Sequence, residues 1–97
     1  MIRHVVLFQF NEAATPQRID DYERDLHAYV ADLDGVQSYR IGRDASLNPN
    51  TYDMSIVAEF ADEADFREYF DGARHKEIQA QTADMISGKA SSQSRFE

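Results

Sequence analysis

The chain has no cysteine and no tryptophan, and it has only two prolines and four glycines in 97 residues. Without cysteine there is no disulfide framework, no thiolate nucleophile and no cysteine-based zinc site, which excludes a small stapled secreted scaffold. No apolar run approaches the roughly 18 residues of a membrane span. Positive charge is also scarce: 10 Lys and Arg face 18 Asp and Glu, for a formal charge of −8. Such a surface repels phosphate backbones, so neither nucleic acid nor a membrane is an expected partner. There is no glycine-rich phosphate loop and no Gly-x-Ser-x-Gly elbow. What is present is 42% hydrophobic residues, 11% of the chain being aromatic. That suffices for one folded domain over residues 1–97 and is too much for a disordered tail. The opening Met1-Ile2-Arg3-His4 enters a strand-like pattern rather than a signal peptide, which gives the expectation of a cytoplasmic protein.

Periodicity divides the chain. Residues Ile2 to Phe10 are branched and aromatic on both faces, with Ile2, His4, Val6, Phe8 and Phe10 on one and Val5, Leu7 and Gln9 on the other. A strand of that kind is covered on two sides. Thr15-Pro16 supplies a cap and a first-turn proline for an amphipathic helix carrying Ile19, Tyr22, Leu26, Tyr29, Val30 and Leu33, which ends near Asp34-Gly35. Val36 to Arg43 reads as a second strand, Asp44 to Asn50 as a loop, and Tyr52 to Ala61 as a third strand. Asp62 caps a helix with Phe66, Tyr69 and Phe70 on its apolar side, and Asp71-Gly72 breaks it. Ile78, Thr82, Met85 and Ile86 then keep helical spacing up to Gly88, and the polar tail from Ala90 to Glu97 reads as a last edge strand or a frayed end.

This order predicts an α+β chain, a ferredoxin-like βαββαβ sandwich with helices on one face of an antiparallel sheet. Val5, Leu7, Tyr39, Ile41 and Val57 are then expected on the other face. A contiguous apolar sheet face is rarely left in water, so two copies packed sheet to sheet, a homodimer, are expected.

Several segments resemble the stress-responsive A/B barrel (Dabb) family over roughly residues 1 to 86. They are Ile2-Arg3-His4-Val5-Val6-Leu7-Phe8, the approach through Gly42, Asn48 and Tyr52-Asp53, the strand exit Glu59-Phe60-Ala61-Asp62, and Tyr69 followed by His75. The resemblance implies a dimeric α+β barrel. It also implies a distant likeness to the plant olivetolic acid cyclase, an enzyme that closes a linear tetraketide thioester by aldol condensation. By that likeness Tyr69 and His75 match a catalytic pair and His4 a first-strand histidine. The sequence departs from it where Met54 stands in place of a third-strand histidine and where Gly72-Ala73 replaces a frequent His-Pro.

Each candidate also has a plain structural reading. His4 shares a strand face with Val6 and Phe8 and fits a hydrogen-bonded core histidine, Tyr69 fits a packed aromatic, and His75 fits an exposed side chain past the break. The constellation carries more than its members. His4, Tyr69 and His75 are the candidate catalytic residues, and Phe8, Met54, Ile56 and Phe66 are the candidate apolar wall of a pocket between sheet and helices. Imidazole titrates near neutral pH, so His75 suits removal of a proton alpha to a carbonyl while Tyr69 stabilises the enolate. His27, between Leu26 and Ala28, reads as a rim residue. The three histidines share no spacing within one element, so no metal site is encoded there, and no cofactor is implied. Two functions follow: a pocket that binds a small, largely apolar metabolite without an assigned reaction, or a cofactor-independent cyclase or lyase acting on an enolisable poly-carbonyl compound.

Overall fold

The computed structural model describes all 97 residues. Strand β1 (Ile2–Phe10) is followed by helix α1 (Pro16–Ala31), strands β2 (Val36–Arg43) and β3 (Met54–Phe60), helices α2 (Glu63–Asp71) and α3 (Ala73–Thr82), a 3-10 turn (Ala83–Met85) and strand β4 (Ile86–Arg95). The sheet order is β2-β3-β1-β4, antiparallel throughout, with the helices on one face. This is the ferredoxin-like α+β fold that the alternating periodicities predict.

The caps form as their sequences require. Thr15 Oγ1 accepts a hydrogen bond from the Arg18 amide at 3.2 Å, with Pro16 in the first turn of α1, and the Asp62 carboxylate accepts from the Asp65 amide at 2.9 Å. Gly72 separates α2 from α3 with an extended backbone. Glycine is needed there for space, because a Cβ would collide with the Tyr29 hydroxyl. That hydroxyl donates to the Tyr69 carbonyl at 2.6 Å, tying α1 to the end of α2.

Two apolar clusters fill the space between sheet and helices. One gathers Val6, Phe8, Tyr22, Leu26, Met54, Ile56, Ile78 and Met85; the other gathers Ile2, Ala58, Phe60, Phe66 and Tyr69. β1 and β3 supply both, because their inward residues alternate strictly in register, His4 opposite Ala58 and Val6 opposite Ile56.

Three local expectations change, and the alternative left open for the tail resolves. The third strand is shorter than Tyr52 to Ala61, because Asp53 turns its amide to the Phe8 carbonyl at 2.8 Å and its carboxylate to the Phe10 amide at 2.7 Å, at the end of β1. The helical spacing through Ile86 is not a helix to its end. α3 stops at Thr82, whose hydroxyl bonds back to the Ile78 carbonyl at 2.9 Å, and Met85 lies in the 3-10 turn while Ile86 and Gly88 already belong to β4. The polar tail is an edge strand, paired with β1 as far as Ile2 opposite Arg95. Finally, Tyr39 and Ile41 face the helices. The register of β2 shifts by one residue between Val36 and Ser38, and that bulge sets Tyr39 opposite Ala58 and Ile41 opposite Ile56. The uncovered sheet face is accordingly less apolar than its sequence suggests: Val5, Leu7, Val57 and Ala90 sit among Ser55, Ser92 and the ion pair of Arg3 with Glu59.

Candidate functional site

His4, Tyr69 and His75 converge between the sheet and the helices. The period of β1 turns His4 inward from the same face as Ile2 and Val6. Tyr69 lies one turn beyond Phe66 on the buried side of α2. The break at Gly72 swings the first turn of α3 back so that His75 meets the ring of Tyr69, their centroids 4.7 Å apart. The His4 ring is 6.1 Å from Tyr69 edge-on and 5.2 Å from Phe66. All three candidates are nearly closed to the exterior, at 3%, 1% and 6% exposure for His4, Tyr69 and His75. A cavity of about 230 Å³ opens beside them, walled by Val6, Phe8, Tyr22, Ile56 and Ile78 and rimmed by Gln79, Lys89 and Ser91.

The hydrogen bonds of the two imidazoles are opposite in sense. The Gln93 amide nitrogen on β4 donates to His4 Nδ1 at 2.8 Å, which leaves Nε2 as the N–H of a neutral ring. His75 Nδ1 lies 3.1 Å from the Phe70 carbonyl, to which it donates, leaving its Nε2 with a free lone pair. Neither Nε2 has a protein partner, and no fully buried side-chain nitrogen or oxygen lacks one, so both Nε2 atoms keep some accessible surface on rings that line the cavity. One histidine therefore presents a donor and the other an acceptor.

Both rings are held neutral. Burial first, then repulsion by His75, should that ring also take a proton, and by the Lys89 ammonium, bring His4 down to about 4. Burial also lowers His75, opposed by its bond to the Phe70 carbonyl and aided by Lys89. The phenols move the other way. Burial pushes Tyr69 up to about 12 and Tyr39 further still, and their hydroxyls meet at 3.0 Å. Phenols that keep their protons are donors rather than bases at neutral pH.

A consequence for stability follows. In the unfolded chain both histidines titrate near 6.5, and in the folded chain they resist protonation, so below 6.5 the unfolded state binds more protons. Stability is then unaffected by these groups above about pH 7 and falls as the pH drops below 6.5, for His4 until about 4, by at most about 1.4 kcal/mol per pH unit for each ring. Urea unfolding at a series of pH values checks this. Replacing His4 with Gln should flatten the decline, and a decline unchanged in that variant would contradict the assignment.

Of the residues expected at the pocket, His4, Tyr69, His75, Phe8 and Ile56 line the cavity. Phe66 stands behind His4, and Met54 packs deeper in the core; neither reaches the cavity wall. His27 is exposed on α1, edge-on to Tyr39 at 5.9 Å. Sequence reading misses Tyr22, Tyr39, Gln93 and Lys89 as parts of the site. Tyr22 was legible on the inward stripe of α1, but Gln93 and Lys89 depend on the register of a polar edge strand. No group of three His, Asp or Glu side chains is placed to hold a metal ion.

Comparison with known proteins bears on the fold and the family. Among solved structures, a dimeric ferredoxin-like protein of unknown function from Thermobifida fusca is 29% identical with a TM-score of 0.88, covering 98% of this chain and 90% of its own. A Dabb family protein from Mesorhizobium loti is 21% identical with a TM-score of 0.80, over 99% of this chain and 96% of its own. A hydroxynitrile lyase from Passiflora edulis is 14% identical with a TM-score of 0.86, over 99% and 93% of the two chains, and shares the fold. No curated protein sequence matches. The family model described as the stress responsive A/B barrel domain matches residues 2–92. With the ferredoxin-like sheet, the helical break and that match across nearly its whole length, the chain belongs to the stress responsive A/B barrel domain family.

Proposed function

We propose that the protein is a homodimer that binds a small, largely apolar, carbonyl-bearing metabolite in the cavity beside His4, Tyr69 and His75. The observation that carries this reading is the pair of neutral imidazoles with opposite hydrogen-bonding sense in an apolar enclosure. A carbonyl oxygen suits the Nε2–H of His4, and aliphatic and aromatic walls suit a hydrocarbon body. The dimer is supported by the apolar centre of the uncovered sheet face and by the dimeric relative from Thermobifida fusca.

A thermal-shift screen of small ketones and 1,3-dicarbonyl compounds tests the pocket. At least one compound should raise the melting temperature of the wild type, with a smaller rise for His75→Ala. Equal shifts for both proteins would reject the site, as would no shift with any compound. Light scattering at micromolar concentration should return twice the chain's mass of 11.1 kDa; a monomeric mass would reject the dimer.

A second reading is enzymatic, and the free lone pair on His75 Nε2 favours it. In it, Nε2 takes the proton from the carbon alpha to a carbonyl. The enolate oxygen is stabilised by donors from His4 or Tyr69. The enolate carbon then bonds to a second carbonyl carbon of the same molecule, and the resulting alkoxide takes the proton back from His75. This is the aldol-type closure of a cofactor-independent cyclase or lyase. A hydroxynitrile lyase from Passiflora edulis has the same fold, which supports this reading at the level of the scaffold.

A further inference from the structure

We propose that the rim of the cavity reads a carboxylate: Lys89 on β4 holds the anionic end of a small carboxylic acid whose apolar body lies against Phe8, Tyr22 and Ile78. The inference rests on the cavity reading above and names the ligand class more narrowly. In a chain with 18 acidic residues and a charge of −8, no Asp or Glu lines the cavity, and Lys89 is the one lysine or arginine that does. A second cavity, of about 330 Å³, shares Phe8, Tyr22, Gln79 and Lys89 with the first and is also free of carboxylates. Lys89 stands where the two meet.

Its ammonium has no protein anion. Arg3, Arg18, Arg24, Arg43, Arg74 and Arg95 are each paired with a carboxylate, whereas Lys89 forms no ion pair and lies 5.8 Å from the centre of the Phe8 ring. The register explains the placement. Lys89 is opposite Phe8, Ser91 opposite Val6 and Gln93 opposite His4, so every second residue of β4 leans toward the helices and forms a polar lip on an apolar chamber. The charge is felt inside, for it lowers the proton affinity of both His4 and His75.

The chemistry selects a monoanion. A single ammonium, with no arginine fork on either cavity, suits one carboxylate rather than a phosphate dianion. The first cavity lies just below the roughly 300–1,000 Å³ usual for ligand pockets, so the acid is compact.

Calorimetric titration of phenylacetate and of phenylacetamide, which share a body and differ in charge, tests the assignment. At pH 7.5 and low salt the wild type should bind the acid about 10-fold more tightly than the amide. Lys89→Met should erase that preference by weakening the acid far more than the amide, and Lys89→Arg should keep it. Added salt should weaken the acid alone. If the amide binds as well as the acid, or if the preference survives in Lys89→Met, the role of Lys89 is overturned and the cavity reading stands. If the wild type binds neither compound while a ketone or dicarbonyl raises its melting temperature, this inference is overturned and the cavity reading stands; if that screen is blank as well, both fall.

Discussion

Replacing His75 with alanine is expected to slow deuterium exchange into phenylacetone, catalysed by the protein in heavy water and followed by proton NMR, by roughly 10²–10⁴-fold. The size of the effect follows from what the side chain supplies. His75 Nε2 is an acceptor with accessible surface, on a ring that lines the cavity, whose other nitrogen is committed to the Phe70 carbonyl and whose burial favours the unprotonated form. No carboxylate lines the cavity, and the phenols keep their protons, so no other side chain there takes over as base. Tyr69→Phe, which removes a donor and leaves the base, should lower the rate on the same scale if the phenol stabilises the enolate. Exchange in His75→Ala at the wild-type rate would reject the base. Absence of exchange above buffer in the wild type would remove the enzymatic reading and leave ligand binding.

The second large effect concerns the fold itself. Tyr69→Ala should lower unfolding stability by about 3–5 kcal/mol, most of what a domain of this size has. Tyr69 is 1% exposed and packs its ring within 6.1 Å of the rings of His4, Tyr29, Tyr39, Phe60 and His75, joining sheet to all three helices. Truncation empties that junction. Tyr69→Phe keeps the ring but strands the Tyr39 hydroxyl, at a cost of about 1–2 kcal/mol, and adding Tyr39→Phe should recover part of the loss because both hydroxyls are then gone. Urea denaturation measures all three. A loss below about 1 kcal/mol for Tyr69→Ala would show that the junction does not hold the helices to the sheet.

The same packing explains what could be read from the chain beforehand. β1 and α1 were legible because their burial is one-sided or strictly alternating and their ends carry Thr15, Pro16 and Asn11. His4, Tyr69 and His75 were legible as a group because the plan of the fold brings the start of β1 under the break between α2 and α3. The faces of β2 were not. A single extra residue in the bulge near Gln37 reverses the direction of Tyr39 and Ile41, and no glycine or proline marks it. β4 was ambiguous because an exposed edge strand of serines, glutamine and lysine has no apolar alternation to follow. The second half of the site, Gln93 and Lys89, lies on that strand. So the residues that fix the tautomer of His4 and charge the rim were hidden by the same polar sequence that blunts the sheet edge.

The account turns on the protonation and tautomers of two rings. Nitrogen-15 NMR of the histidine side chains at pH 7.5 reads them directly. His75 should appear as the neutral Nδ1–H form and His4 as the neutral Nε2–H form, with His4 still neutral at pH 6. An imidazolium at either position at pH 7.5, or His75 protonated on Nε2, would contradict a site in which one histidine offers the base and the other the donor.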